Sequence, residues 1–404
     1  MSWTREQKNV TIAAYLGWTL DAFDFFLMVF VLKDIATEFN TQIPAVAFAI
    51  TITLAMRPLG ALIFGRLADK FGRRPTLMVN IACYSLLELL TGFSPNLTTF
   101  IVLRALFGVA MGGEWGVGSA LTMETIPPKA RGIVSGLLQA GYPSGYLLAS
   151  IVFGVLYQYI GWRGMFFVGV LPALLVLYVR AHVPESPAWK EMEKRARPSL
   201  LSTLKHNLGL SIYAIVLMTA FNFFSHGTQD LYPTFLREQH HFDPHTVSLI
   251  TITLNIGAIV GGIFFGSLSE KIGRRKTIFI SALIALPVLP LWAFSSGAML
   301  LALGAFLMQI SVQGAWGVIP VHLNEISPDE VRATFPGLVY QLGNLLASVN
   351  ATMQASLAVT HGQNYGMAMA IVAGTVAVVI AVLIPFSRER RGIDMTQAAK
   401  QMTG

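Results

Sequence analysis

"GRLADKFGRRP", residues 65–75, returns as "GSLSEKIGRRK" at residues 266–276, an offset of 201 positions. The same offset carries Glu114-Trp115 to Ala315-Trp316, Glu124 to Glu325, Arg131 to Arg332 and Pro184 to Pro385. One displacement shared by five landmarks predicts a chain built from two halves in the same orientation, related by an axis along the membrane normal. A cavity between such halves is a natural place for alternating access.

Composition says what surrounds these halves. Of 404 residues, 54% are hydrophobic and 12% charged, and a soluble domain carries about twice that charged share. Apolar runs long enough to cross a hydrocarbon core of about 30 Å recur along the whole chain. They predict twelve spans near residues 10–33, 44–67, 75–95, 98–122, 131–159, 163–182, 208–236, 245–269, 276–295, 298–323, 333–359 and 364–386. The fold class expected is therefore an all-α membrane protein. Residues 1–182 would form one six-helix bundle, 183–207 a basic linker, and 208–404 the second bundle with its tail. The first span is too long for a cleaved signal core, holds Asp21 and Asp24 and lacks a small-residue cleavage site, so it should stay. The lone Cys83 offers no disulfide or redox motif.

Of the 28 Lys and Arg residues, 23 fall on the side that holds both termini. Only Lys33, Arg163 and Arg237 fall on the other, and Arg57 and Arg104 lie within spans. The positive-inside rule then places both termini in the cytoplasm, with the chain a multi-pass protein of the plasma (inner) membrane. The pI near 9.5 reflects that topology rather than nucleic-acid binding, because no basic cluster sits on a soluble domain.

The repeated loop, "RALFGVAMGGEW" in the fourth span and "PESPAW" after the sixth resemble the major facilitator superfamily over nearly the whole chain. That resemblance implies a rocker-switch secondary transporter with twelve helices in two pseudo-symmetric bundles. Asp69, Arg73, Arg74 and Arg131, with Glu270, Arg274 and Arg332 in the second copy, would then form a cytoplasmic gate latching the halves together. Topology alone would also explain these charges.

"NFFSHGTQDLYPTF", residues 222–235, lies in the seventh span. On a helix Asn222, His226, Gln229 and Asp230 recur at i, i+4, i+7 and i+8 beside Ser225, forming one polar stripe. His226 and Asp230 stand one turn apart and can hold a proton reversibly. A lone Asn or Ser in a membrane usually bridges helices, but ionisable groups at that depth are costly and rare. The stretch fits N-x-x-[S/T]-H-x-[S/T]-Q-D-x-x-x-T through Asn222, Ser225, His226, Thr228, Gln229, Asp230 and Thr234. In this it resembles the Jen-type lactate and pyruvate proton symporters of the sialate:proton symporter group, to whose first span "GWTLDAFDFFL" at 17–27 is similar. The resemblance implies import of a short monocarboxylate with a proton, the His and Asp of the motif serving the coupling. Sialate members are usually longer, with extra spans between the halves.

A carboxylate needs a cation. Arg57 lies mid-span, about 12 Å from Gly65, and its planar fork suits a carboxylate as lysine does not; the alternative is an ion pair with Asp21 or Asp24. The family resemblance also implies an arginine in this part of the second span for substrate binding. Arg104 would serve coupling or packing. Counting Arg57 and Arg104 against Asp21, Asp24, Glu114 and Asp230 gives minus two within the spans, which predicts that one or more carboxylates carry a proton. Asp21 and Asp24 align with Asn222 and Ser225 at the repeat offset, so they are expected to face the same cavity. Tyr142, Gln313 and Tyr340 are further candidates for substrate contact, though such groups also bridge helices. Gly108, Gly112 and Gly116, and Gly141 with Gly145, have the spacing of close helix approach. "HHFDPH" at 240–245 is not expected to hold a metal. No nucleophile–base pair or metal set appears, so neither enzyme chemistry nor a cofactor is expected. The partners expected are a small carboxylate, a proton and the bilayer, with no nucleic acid, and the monomer suffices. Rival readings are a sialate or dicarboxylate carrier, or a non-transporting sensor on the same scaffold.

Overall fold

The computed structural model describes residues 4–125, 137–185, 205–327 and 335–390, and among these the chain is helical without a strand. Arg131, Arg332, the middle of the linker and the side chain of Asp69 lie outside the described residues.

The helices repeat as the duplicated loop predicts. Helix α1 (Arg5–Val29) is followed by a short α2 (Leu32–Glu38), then α3 (Ile43–Phe71), α4 (Arg73–Gly92) and α5 (Leu97–Thr125). Next come α6 (Gly141–Val168), α7 (Ala173–His182), α8 (Leu208–Gln229) and a short α9 (Tyr232–Glu238). The series closes with α10 (Pro244–Ile272), α11 (Arg274–Phe294), α12 (Ala298–Ile326), α13 (Phe335–Ala347), α14 (Asn350–Thr360) and α15 (Tyr365–Leu383). Helices α3 and α10 begin and end 201 residues apart, as do α5 and α12.

Four predicted spans are broken. The first stops at α1 and resumes at α2, the sixth divides between the end of α6 and α7, the seventh stops at α8 and resumes at α9, and the eleventh divides between α13 and α14. Pro233 sits in the first turn of α9, where its missing N–H costs nothing. At the α13–α14 break the Ser348 hydroxyl donates back to Leu345 O at 2.7 Å, competing with the helical ladder. The predicted boundary between the fifth and sixth spans appears as a kink inside α6, where Gly161 takes φ 62°.

The two loops that carry the repeat are built alike. Gly72 and Gly273 adopt φ +110° and +99°, a region that favours glycine. Each turn delivers a helix N-terminus to a carboxylate: the amides of Arg73 and Arg74 donate to Glu185, and those of Arg274 and Arg275 to Glu389. An acid there satisfies orphan amides and complements the helix dipole.

Lipid removes the hydrophobic drive between helices, so association rests on close contact. A Cβ on Gly112 would lie 2.0 Å from Arg57 O, and one on Gly145 2.2 Å from Thr19 O. The small residues therefore let α5 meet α3, and α6 meet α1, backbone to backbone. Large apolar side chains such as Leu59, Leu62, Ile63, Ile263 and Phe264 face outward, while Asp21, Asp24, Arg57, Arg104, Glu114 and Asp230 within the spans are buried.

Candidate functional site

The polar stripe of α8 faces the interior. Asn222, Ser225, His226, Gln229 and Asp230 are all at most 5% exposed. His226 Nδ1 lies 3.1 and 3.0 Å from the two carboxylate oxygens of Asp230, the one-turn contact that the spacing predicts. The neighbouring amides have partners in the protein. Asn222 Nδ2 donates to Met218 O at 2.8 Å, and Gln229 Nε2 donates to Gln309 Oε1 at 2.8 Å. Gln309 in turn donates to Thr228 Oγ1 at 2.9 Å, tying α8 to α12. Gln313 donates to Ser225 at 3.4 Å and so bridges the same helices.

Arg57 is fully buried in the other half. Its guanidinium stands over the rings of Trp18 and Tyr340, 5.7 and 5.5 Å from their centroids. Neither Asp21 nor Asp24 pairs with it among the described residues. Nε, Nη1 and Nη2 of Arg57 all lack a hydrogen-bond partner in the protein. Aromatic rings thus flank the guanidinium, and none of its N–H groups meets an acceptor in the protein. Arg57 and His226 are joined through aromatic contacts: Trp18 on Tyr142 at 5.5 Å, Tyr142 on Phe26 at 5.2 Å, Phe26 on Phe25 at 5.1 Å and Phe25 on His226 at 6.0 Å. Tyr142 OH and both oxygens of Asp21 and of Asp24 are buried without a partner. Glu114 reaches α1, since a Cβ on Gly17 would lie 2.2 Å from its Oε1.

Arg104 has a partner that the sequence reading missed. Its Nη1 lies 2.5 Å from Glu88 Oε2, with both side chains fully buried. A Cβ on Gly169 would approach Glu88 Cγ at 2.4 Å and Asp24 Oδ1 at 3.1 Å, so Asp24 borders the pair. With Glu88 counted, two arginines face five acids within the spans and the sum is minus three, not minus two. The signal was an acid in the apolar run "SLLELL", and Gln309 carried a similar one in "FLMQIS".

Of the residues expected to form the cytoplasmic gate, Arg73, Arg74, Glu270 and Arg274 have described contacts, whereas Arg131, Arg332 and the Asp69 side chain lie outside the described residues. Arg274 binds Glu270 at 2.7 Å, Glu325 at 3.1 Å and Ser269 at 2.6 Å, all in its own half. Arg74 donates to Arg180 O, and the Arg73 and Arg74 amides donate to Glu185, again within one half. These contacts brace the end of each bundle, because the repeated loop and its acid lie in the same half.

The halves meet in described ion pairs at the opposite end. Arg237 of α9 donates to Asp34 of α2 at 2.7 Å and to Phe30 O at 2.8 Å, and its guanidinium lies over the Phe153 and Tyr157 rings. Tyr157 donates to Asp34 at 2.5 Å, and Lys33 pairs with Glu238 at 2.8 Å. Beneath them Ser248 donates to Ser150 O at 2.6 Å. A half-buried, charge-assisted contact of this kind is worth about 1.5–3 kcal/mol. Replacing Arg237 by alanine should therefore shift the balance roughly 10- to 100-fold towards opening at this end. With Cys83 replaced by serine and a reporter thiol introduced as Ser150→Cys, labelling by a membrane-impermeant maleimide should rise several-fold in the Arg237→Ala background. Unchanged labelling would show that this contact does not hold the end shut.

The comparisons with known proteins agree with this architecture. A family model described as Major Facilitator Superfamily matches residues 12–229 and 215–399. The chain is 29% identical over 411 residues to a carboxylic acid transporter protein homolog of Saccharomyces cerevisiae, covering 95% of this chain and 66% of that protein. It is likewise 29% identical over 388 residues to the sialic acid transporter NanX of Escherichia coli, covering 94% of each. The crystal structure of a D-xylose-proton symporter superposes with a TM-score of 0.77 at 17% identity, over 96% of this chain and 99% of the other.

Proposed function

Since the chain belongs to the Major Facilitator Superfamily, we propose that it imports a short monocarboxylate, L-lactate or pyruvate, together with a proton by alternating access. It is a transporter of that superfamily and not an enzyme. In this reading the bundles of residues 1–182 and 208–404 rock about the central site in the plasma (inner) membrane, with both termini cytoplasmic.

The observation that carries the proposal is the state of Arg57: fully buried, flanked by two rings, and none of its nitrogens hydrogen-bonded to the protein. A buried cation without an acceptor is unfavourable until an anion joins it. A carboxylate supplies two oxygens at the spacing of the fork. Across the site, His226 and Asp230 form the group that takes up and releases the proton, with Asp21, Asp24 and Glu114 as further carriers. The free Oε1 of Gln229 can accept from the hydroxyl of L-lactate and so orient it. An anion and a proton cross without net charge, so the pH gradient drives uptake.

Labelled L-lactate should accumulate in proteoliposomes when the interior is made alkaline, and uptake indifferent to the gradient would remove the symport. His226→Gln should abolish gradient-driven accumulation while lactate–lactate exchange continues. Retained accumulation would exclude His226 as the coupling group. The similarity to a sialic acid transporter over 94% of both chains favours one second reading, a larger acidic sugar as substrate. Unlabelled sialate competing better than unlabelled pyruvate would establish it.

A further inference from the structure

We infer that this site selects flat, conjugated carboxylates, whose π-face lies against the rings that enclose Arg57; the inference rests on the proposed carboxylate transport and narrows its substrate. Two rings, one from each half, stand against this guanidinium, and three more from three other helices pack on those two. Trp18 of α1 and Tyr340 of α13 cover it directly. Tyr142 of α6 packs on Trp18 at 5.5 Å, and Trp115 of α5 and Trp316 of α12 pack on Tyr340 at 5.4 and 5.7 Å. Trp18, Tyr142, Tyr340 and Trp316 are each at most 9% exposed.

Ordinary core packing does not account for the polar edges of these rings. A buried Trp N–H or Tyr O–H normally finds a partner. Here Trp18 Nε1 and Tyr142 OH are buried with no hydrogen-bond partner in the protein, beside a guanidinium in the same condition. Donors without acceptors around a cation, within aromatic walls, describe a receptor for an anion with an apolar, polarisable body.

Shape decides the class. A carboxylate gripped by the fork lies in the plane of the guanidinium. A group conjugated to that carboxylate remains coplanar with it and offers ring faces to ring faces. A tetrahedral α-carbon or a puckered saturated ring turns its substituents out of that plane and towards the walls, so of the two acids proposed above the site favours pyruvate, while L-lactate is carried with lower affinity. Aromatic pairing beyond simple area burial then favours the flat acid by roughly tenfold.

The test compares benzoate with cyclohexanecarboxylate on the purified full-length protein, by calorimetric titration and by thermal shift. Both acids carry one charge and seven carbons, and the saturated one is no less apolar, so burial alone does not favour benzoate. Benzoate should bind about tenfold tighter than cyclohexanecarboxylate and tighter than L-lactate. Tyr340→Phe should keep that preference and Tyr340→Leu should remove it. Equal binding of the two acids overturns the inference and leaves carboxylate transport standing. Failure of the unaltered protein to bind either acid or L-lactate overturns both this inference and the reading beneath it.

Discussion

Replacing Arg57 by lysine should raise the dissociation constant for the transported acid roughly 10- to 100-fold, the worth of a charge-assisted, two-point contact of about 1.5–3 kcal/mol. Lysine keeps the charge and loses the fork, so the variant separates geometry from electrostatics. Unaltered affinity would remove Arg57 from the binding site. The same residue predicts a second behaviour. Because its nitrogens have no acceptor in the protein, Arg57→Met should melt no lower than the parent when no acid is present. It should also fail to gain stability when acid is added, since a ligand stabilises in proportion to its binding. A structural arginine would behave in the opposite way, losing stability at once. Thermal melts of the two proteins with and without ligand distinguish these outcomes.

The second large effect belongs to Glu88 and Arg104. Both are fully buried and 2.5 Å apart, so Glu88→Leu leaves a guanidinium without its counter-ion deep in the bundle. Breaking a buried pair from one side costs about 3–5 kcal/mol, whereas replacing both members by apolar groups of similar size is often neutral. Glu88→Leu should therefore lower the melting temperature sharply. The double variant Glu88→Leu with Arg104→Met should recover most of the loss. If the double variant melts as low as the single one, the pair is not the reason the residues are there. The contrast with Arg57 is physical: Arg104 is compensated by a carboxylate of the protein, and the nitrogens of Arg57 have no acceptor in it.

Much of this was legible in the residues. The charged share and the recurring apolar runs require a membrane protein, whatever the detail of its packing. The 201-residue repeat predicted the duplication, and the helices of the two halves keep that offset nearly to the residue. The contact of His226 with Asp230 follows from the pitch of a single helix, which places i and i+4 side by side. Arg57 announced itself as a guanidinium in the middle of an apolar span. Each of these rests on short-range geometry, which a linear chain carries in its own periodicity.

The partners across helices were not legible. Glu88 meeting Arg104, Gln229 meeting Gln309, Arg237 meeting Asp34 and the Trp18 and Tyr340 rings against Arg57 all depend on how each helix is rotated and how closely it approaches its neighbour. Those rotations come from contacts such as Gly112 against the backbone of Arg57, between residues 55 positions apart. The breaks that turn α2 and α9 towards each other likewise sit inside apolar runs that read as continuous. Periodicity names the face of a helix that must be polar. Which group answers it from another helix is settled when the bundles pack, because that choice is made by distances in space that no spacing along the chain encodes.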